Sequence, residues 1–129
     1  MAEEDVEVVR KGYVAFATGD LRTLNELFAE DATWVVPGSS PQSGTTQGRD
    51  AIIAYLVQVM TLTGGTFRTT QLALAGGDGR VFSLDASQAS RNGVSLNSTG
   101  VNVFQLKDGR VQSVQQYFEN TADNDAFWA

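Results

Sequence analysis

The chain has 129 residues, a formal net charge of −6 from nine Lys and Arg against fifteen Asp and Glu, and neither cysteine nor histidine. That composition excludes disulfides, thiolate nucleophiles, Ser-His-Asp and Cys-His sets, and zinc sites built on Cys or His. Without a Lys/Arg stripe, a basic N-terminal leader or a long apolar run, the chain is expected to bind neither nucleic acid nor membrane and to reside in the cytoplasm.

The length allows one domain, spanning residues 1–129. Val6, Val9, Tyr13 and Phe16 recur at helical spacing and Gly19 stands where a C-cap would end that helix. Asp20 is the expected N-cap of a short second helix that turns Leu21, Leu24, Leu27 and Phe28 inward and ends near Glu30. Thr33 to Val36 is β-rich and is stopped by Pro37, and the Gly-, Ser- and Thr-rich segment from Gly38 to Gly48 reads as a long loop. Asp50 to Met60 is apolar nearly all round, which predicts a largely buried third helix ended by Gly64-Gly65. Strands are expected near 66–75, 80–90, 94–106 and 110–119, divided by Asp78-Gly79, Asn92-Gly93 and Asp108-Gly109. Helices first and an antiparallel sheet afterwards argue for an α+β domain with three helices on one face of a curved sheet.

The Asn92-Gly93 turn carries the argument to function. A two-residue type I′ turn pairs Arg91 with Val94, Ala89 with Leu96, Ser87 with Ser98 and Asp85 with Gly100. Directly opposed residues share a face, so Ser83, Asp85 and Ser87 point inward with Leu96 and Phe104, and Phe82 and Leu84 point outward. If Val114 and Phe118 are interior, the last hairpin needs a three-residue turn with a bulge at Gly109. Gly100 would then face both Asp85 and Gln116, leaving a gap over which a ligand or water could sit, with Asn102 one step along. An inward Asp85 would have its pKa raised by desolvation, which suits a general acid or base; the alternative for Asp85 is a solvated or interface residue, for Asn102 and Gln116 mutual hydrogen bonding in the core, and for Tyr13 and Trp34 core packing.

The segments Tyr13 to Asp20, Leu27 to Trp34, Gly48 to Ile52, Val101 to Phe104, Asp108 to Val111 and Tyr117-Phe118, taken in order, resemble the nuclear transport factor 2-like superfamily, and within it SnoaL-like proteins. The resemblance covers nearly the whole chain. It implies a cone-shaped α+β barrel of a curved mixed or antiparallel sheet with three N-terminal helices on its concave face, enclosing an apolar pocket, commonly in a homodimer. The superfamily includes ketosteroid isomerases, polyketide cyclases, limonene epoxide hydrolases and dehydratases. This chain departs from each of the catalytic sets compared. Val36 stands where the isomerases have an Asp before the proline, and Gly100 where they have a second acid. Asp85 matches the central acid of the epoxide hydrolases, but Ser83 and Gln116 replace its Arg and Asp partners. Asn102 replaces an Asp common in cyclases.

These readings together predict a pocket for a small, mostly apolar, oxygenated molecule of polyketide, steroid or terpenoid type. Asp85 is the expected catalytic group. Asn102, Gln116, Tyr13, Trp34, Val36, Tyr55, Ser87, Ser98, Gly100, Phe104, Val114 and Phe118 are the expected binding residues. Neither cofactor nor metal is expected, since no loop has the Asp-x-Asp-x-Asp-Gly spacing. A homodimer through the outer sheet face is expected from Phe82, Leu84, Val101 and Val103. The alternative is a non-catalytic ligand-binding or dimerisation module of the same fold.

Overall fold

A computed structural model describes residues 2–129; Met1 lies outside the described residues. The elements run α1 (Ala2–Thr18), α2 (Leu21–Leu27), β1 (Phe28–Val36), β2 (Gly44–Gln47), α3 (Arg49–Leu62), β3 (Arg68–Gly77), β4 (Arg80–Arg91), β5 (Val94–Lys107), β6 (Arg110–Phe118) and α4 (Thr121–Trp128). The strands form one sheet in the order β2-β1-β6-β5-β4-β3. Only β1 and β6 run parallel, so the sheet is mixed, and its two ends, β2 and β3, stay open. This is the α+β cone architecture of nuclear transport factor 2-like proteins. No helix among the described residues is long and apolar enough to cross a membrane.

Turn chemistry fixes most of the register. Asp78-Gly79, Asn92-Gly93 and Asp108-Gly109 all have positive φ and each closes a two-residue loop, pairing Gly77 with Arg80, Arg91 with Val94 and Lys107 with Arg110. Such turns match the right-handed twist of the flanking strands. The β4–β5 register is as expected, Asp85 opposite Gly100 and Ser87 opposite Ser98.

The β5–β6 register differs from expectation. The turn at Gly109 has two residues, and the parity change comes instead from a bulge one step further, where Leu106 pairs with Val111 but Gln105 pairs with Ser113. Gln116 therefore stands opposite Asn102, and Phe118 opposite Gly100. A Cβ at Gly100 would collide with the Tyr117 carbonyl oxygen, so the glycine allows β6 to approach closely.

Four elements depart from the sequence reading. Helix α2 ends at Leu27, with the Phe28 N–H on the Leu24 carbonyl, and β1 begins at Phe28 and takes Glu30 and Asp31 along its exposed stretch. Leu21 is exposed, because the Asp20 carboxylate caps the helix at Thr23 and sets Leu24 as its inward residue. Within the expected loop, Gly44–Gln47 forms an edge strand on β1. Helix α3 buries Ile52, Leu56 and Val59 but leaves Val57 exposed, since only one of its faces meets the sheet.

The fourth departure is α4, an additional helix. Asn120 caps it by accepting from the Asp123 N–H at 3.1 Å, and Arg91 donates to the Phe127 carbonyl at 3.0 Å near its end. Its Phe127 and Trp128 rings meet edge to face at 4.8 Å and are buried with Val59, Ala89 and Leu96. The larger core cluster lies between α1–α3 and the sheet, around Val9, Phe28, Ile52, Val81, Phe104 and Val114. Phe16 and Tyr55 pack against both clusters.

Candidate functional site

The β4–β5 register turns Ser83, Asp85 and Asn102 toward α1, where Tyr13 meets them. Ser83, Asp85 and Asn102 are only 0, 6 and 9% exposed. The Tyr13 hydroxyl donates to Asp85 Oδ2 at 2.6 Å. Asn102 Nδ2 donates to the same oxygen at 3.1 Å and to the Tyr13 oxygen at 3.1 Å. The Ser83 hydroxyl donates to Asp85 Oδ1. Two donors thus meet Oδ2 and one meets Oδ1, out of the roughly four lone-pair positions of a carboxylate, and Gln71 stands opposite Asp85 on β3.

Burial pushes the Asp85 carboxyl above its ordinary range, against the opposing pull of hydrogen bonding from Ser83, Tyr13 and neighbouring Gln71. Burial and the adjacent Asp85 charge push the Tyr13 hydroxyl upward, so near neutral pH it stays a donor. Elsewhere on the wall, burial pushes Tyr55 up to about 12.

Asp85, with its partners Tyr13 and Asn102, stands at the wall of a cavity of about 130 Å³ lined by α1, α2, α3, α4 and the sheet. Phe104 lies edge to face on Tyr13 at 5.9 Å. Trp34 and Val36 on β1, with Tyr55 on α3, line another side, the Trp34 and Tyr55 ring centres being 6.2 Å apart. Ser87, Ser98, Gly100, Gln116 and Phe118 also line it. Of the expected site residues, Val114 alone does not; it has no exposed surface and packs in the core behind the wall. Gln116 lies beside Asn102 instead of across Gly100 from Asp85, so the row expected across three strands splits into Asp85-Gly100-Phe118 and Ser83-Asn102-Gln116.

Sequence reasoning missed part of this site. The hairpin register turns Ser83 inward but gives it no role, although its two-residue spacing from Asp85 on one strand face puts its hydroxyl beside the carboxylate. Asn124 and Trp128 reach the cavity from α4. The signal for that helix was Asn120 followed three residues later by Asp123, the pattern of a capped N-terminus.

The SnoaL-like domain family matches residues 9–114, and the chain belongs to that family. It is 30% identical over 128 residues to an uncharacterized protein of Mycobacterium tuberculosis (strain ATCC 25618 / H37Rv), an alignment covering 98% of each chain. The solved structure of Bal32a, from a soil-derived mobile gene cassette, is 40% identical with a TM-score of 0.96, covering 99% of this chain and 98% of that one. An LEH-like epoxide hydrolase of M. tuberculosis shares the fold alone, at 14% identity and a TM-score of 0.74, covering 98% of this chain and 92% of that one.

Proposed function

We propose that the protein binds a small, mostly apolar, oxygenated molecule in this cavity and performs cofactor-free acid–base chemistry on it with Asp85. The observation that carries this reading is a buried carboxylate at the wall of a largely apolar cavity, its affinity for a proton raised by that burial. Desolvation of that kind brings a carboxyl toward the range useful near neutral pH. Asp85 takes a proton from the substrate or from a water beside it, and Tyr13 and Asn102 hold the carboxylate in place. The reaction class is isomerisation, cyclisation, dehydration or epoxide opening, the last being the activity named for one structural neighbour.

A screen of steroid enones, flat polyketides and terpenoid epoxides tests the reading. Turnover by the parent is expected to fall by about 10²- to 10⁴-fold in Asp85→Asn, with ligand affinity within a few fold. Undiminished turnover in that variant would remove Asp85 from the chemistry. A second reading, binding without turnover, is favoured by one specific feature: the Tyr13-Ser83-Asp85-Asn102 network satisfies most of its own hydrogen-bonding capacity. Saturable binding with no product from any class would select it.

The outer sheet face supports a second part of the proposal, a homodimer. Phe82 is 44%, Leu84 38% and Tyr117 56% exposed on that face, an apolar group of the kind that marks an interface.

A further inference from the structure

Away from Asp85 the cavity wall carries a second polar band. Thr69 on β3 pairs with Ser87 on β4, and Ser87 pairs with Ser98 on β5, so three hydroxyl residues stand in one row across three strands. All three line the cavity, two positions along the strands from Asp85 and Gly100. That offset corresponds to about 7 Å at 3.4 Å per residue. Around the row the lining is apolar: Phe67, Leu96 and Trp128.

Helix α4 closes the row with Asn124, which is 4% exposed and also lines the cavity. Its Nδ2 donates to the Asn120 carbonyl oxygen at 3.2 Å and to Ser98 Oγ at 2.8 Å. The Asn120 carbonyl can only accept, so it fixes which end of the amide is nitrogen. Both Nδ2 hydrogens are thereby used, and Ser98 Oγ is an acceptor in this pair. Within this pair two capacities remain without a side-chain or backbone partner among the described residues, the Ser98 hydroxyl proton and Asn124 Oδ1, while further along the row the Ser87 hydroxyl donates to Thr69 Oγ1 at 3.3 Å. One donor beside one acceptor is the complement of a hydroxyl group, and its donor half alone serves a carbonyl. Among the described residues no Lys or Arg lines the cavity, so nothing there would compensate an anion beside Asp85.

We propose that Thr69, Ser87, Ser98 and Asn124 form a second oxygen-binding subsite, so that the ligand is a neutral, two-ended molecule. One oxygen function sits at Asp85 and the other, a hydroxyl by preference, lies on the hydroxyl row. This rests on the reading of the cavity as a ligand site and narrows its substrate class to compounds oxygenated at both ends of an apolar frame.

The test compares 2,6-dihydroxynaphthalene with 2-naphthol, titrated into the full chain with tryptophan fluorescence as readout, since Trp34 and Trp128 line the cavity. The diol is expected to bind the parent about tenfold more tightly, the effect of one well-made neutral hydrogen bond or two modest ones. Ser98→Ala should bring the two probes within about threefold by weakening the diol alone, and Ser87→Ala, which leaves Asn124 paired with Ser98, should shrink the preference less. Equal affinities in the parent, or equal losses for both probes in Ser98→Ala and Ser87→Ala, would overturn the second subsite and leave the cavity as a ligand site. Failure of both probes to bind would overturn the ligand-site reading and the subsite with it.

Discussion

Strand β4 carries opposite chemistry on its two faces. Toward the helices it presents Ser83, Asp85 and Ser87, and toward the outside Phe82 and Leu84. A sheet with one solvated face ordinarily shows the reverse, apolar residues in and polar residues out. Register decides the facing here: the two-residue turn at Asn92-Gly93 fixes which residues of β4 oppose those of β5, whatever their hydrophobicity. Where register and hydrophobic pattern disagree, both faces become informative. Polar groups inside need partners, and apolar groups outside need cover.

Placing a charge on the outer face is the most forceful way to break this comparison. Phe82→Asp should abolish the proposed dimer, raising its dissociation constant by at least about 100-fold, because a carboxylate would be buried without a partner. Sedimentation velocity of the parent and the variant at micromolar concentration reads the outcome, and a monomeric parent would count against the interface.

On the inner face, Asp85→Leu should destabilise the fold by about 2–3 kcal/mol, since it strips the acceptor from Ser83, Tyr13 and Asn102 together. Ser83→Ala should cost less, about 1 kcal/mol, and should move the Asp85 carboxyl further up by removing a donor that favours its charged form. Urea unfolding with and without each change measures both. A neutral Asp85→Leu would mean that the network contributes nothing to the fold.

The reach of the sequence differed across these regions for physical reasons. At Asn92-Gly93 both turn residues need positive φ, and that requirement transmits a register to every residue of β4 as far as Asp85. The parity of β6 was also legible, because Val114 and Phe104 had to share an interior. Its offset was not. The bulge opposite Gln105 and Leu106 involves no glycine and leaves no local mark, so Gln116 landed beside Asn102 and not across from Asp85.

The edge strand Gly44–Gln47 was hidden because it pairs on one side only, is four residues long and carries no apolar side chain to set a pattern. The second helix is expected to end near Glu30, yet Glu30 occupies, with Asp31, an exposed stretch of β1 where charge costs little. For the site itself, Tyr13 and Asn102 could be placed inward from their own elements. Their convergence on one carboxylate oxygen depends on how α1 packs across the sheet, which no local pattern encodes.

A smaller effect should appear in the pH dependence of stability. Asp85 binds its proton more tightly in the folded than in the unfolded chain, so its contribution is most favourable below the unfolded value of about 3.9. That contribution declines as pH rises from there through the folded-state pKa, and stays level above it. Relative to Asp85→Asn, the parent should therefore lose stability across that window. A difference curve that rises with pH would mean that hydrogen bonding outweighs burial at this carboxyl.

The most direct measurement is an NMR titration of the Asp85 carboxyl carbon in the parent protein, alone and with saturating 2-naphthol. The midpoint should lie above about 3.9, and it should shift when the probe enters the cavity beside the carboxylate. A midpoint at or below that value, unmoved by the bound probe, would contradict an acid–base role for Asp85 in this cavity.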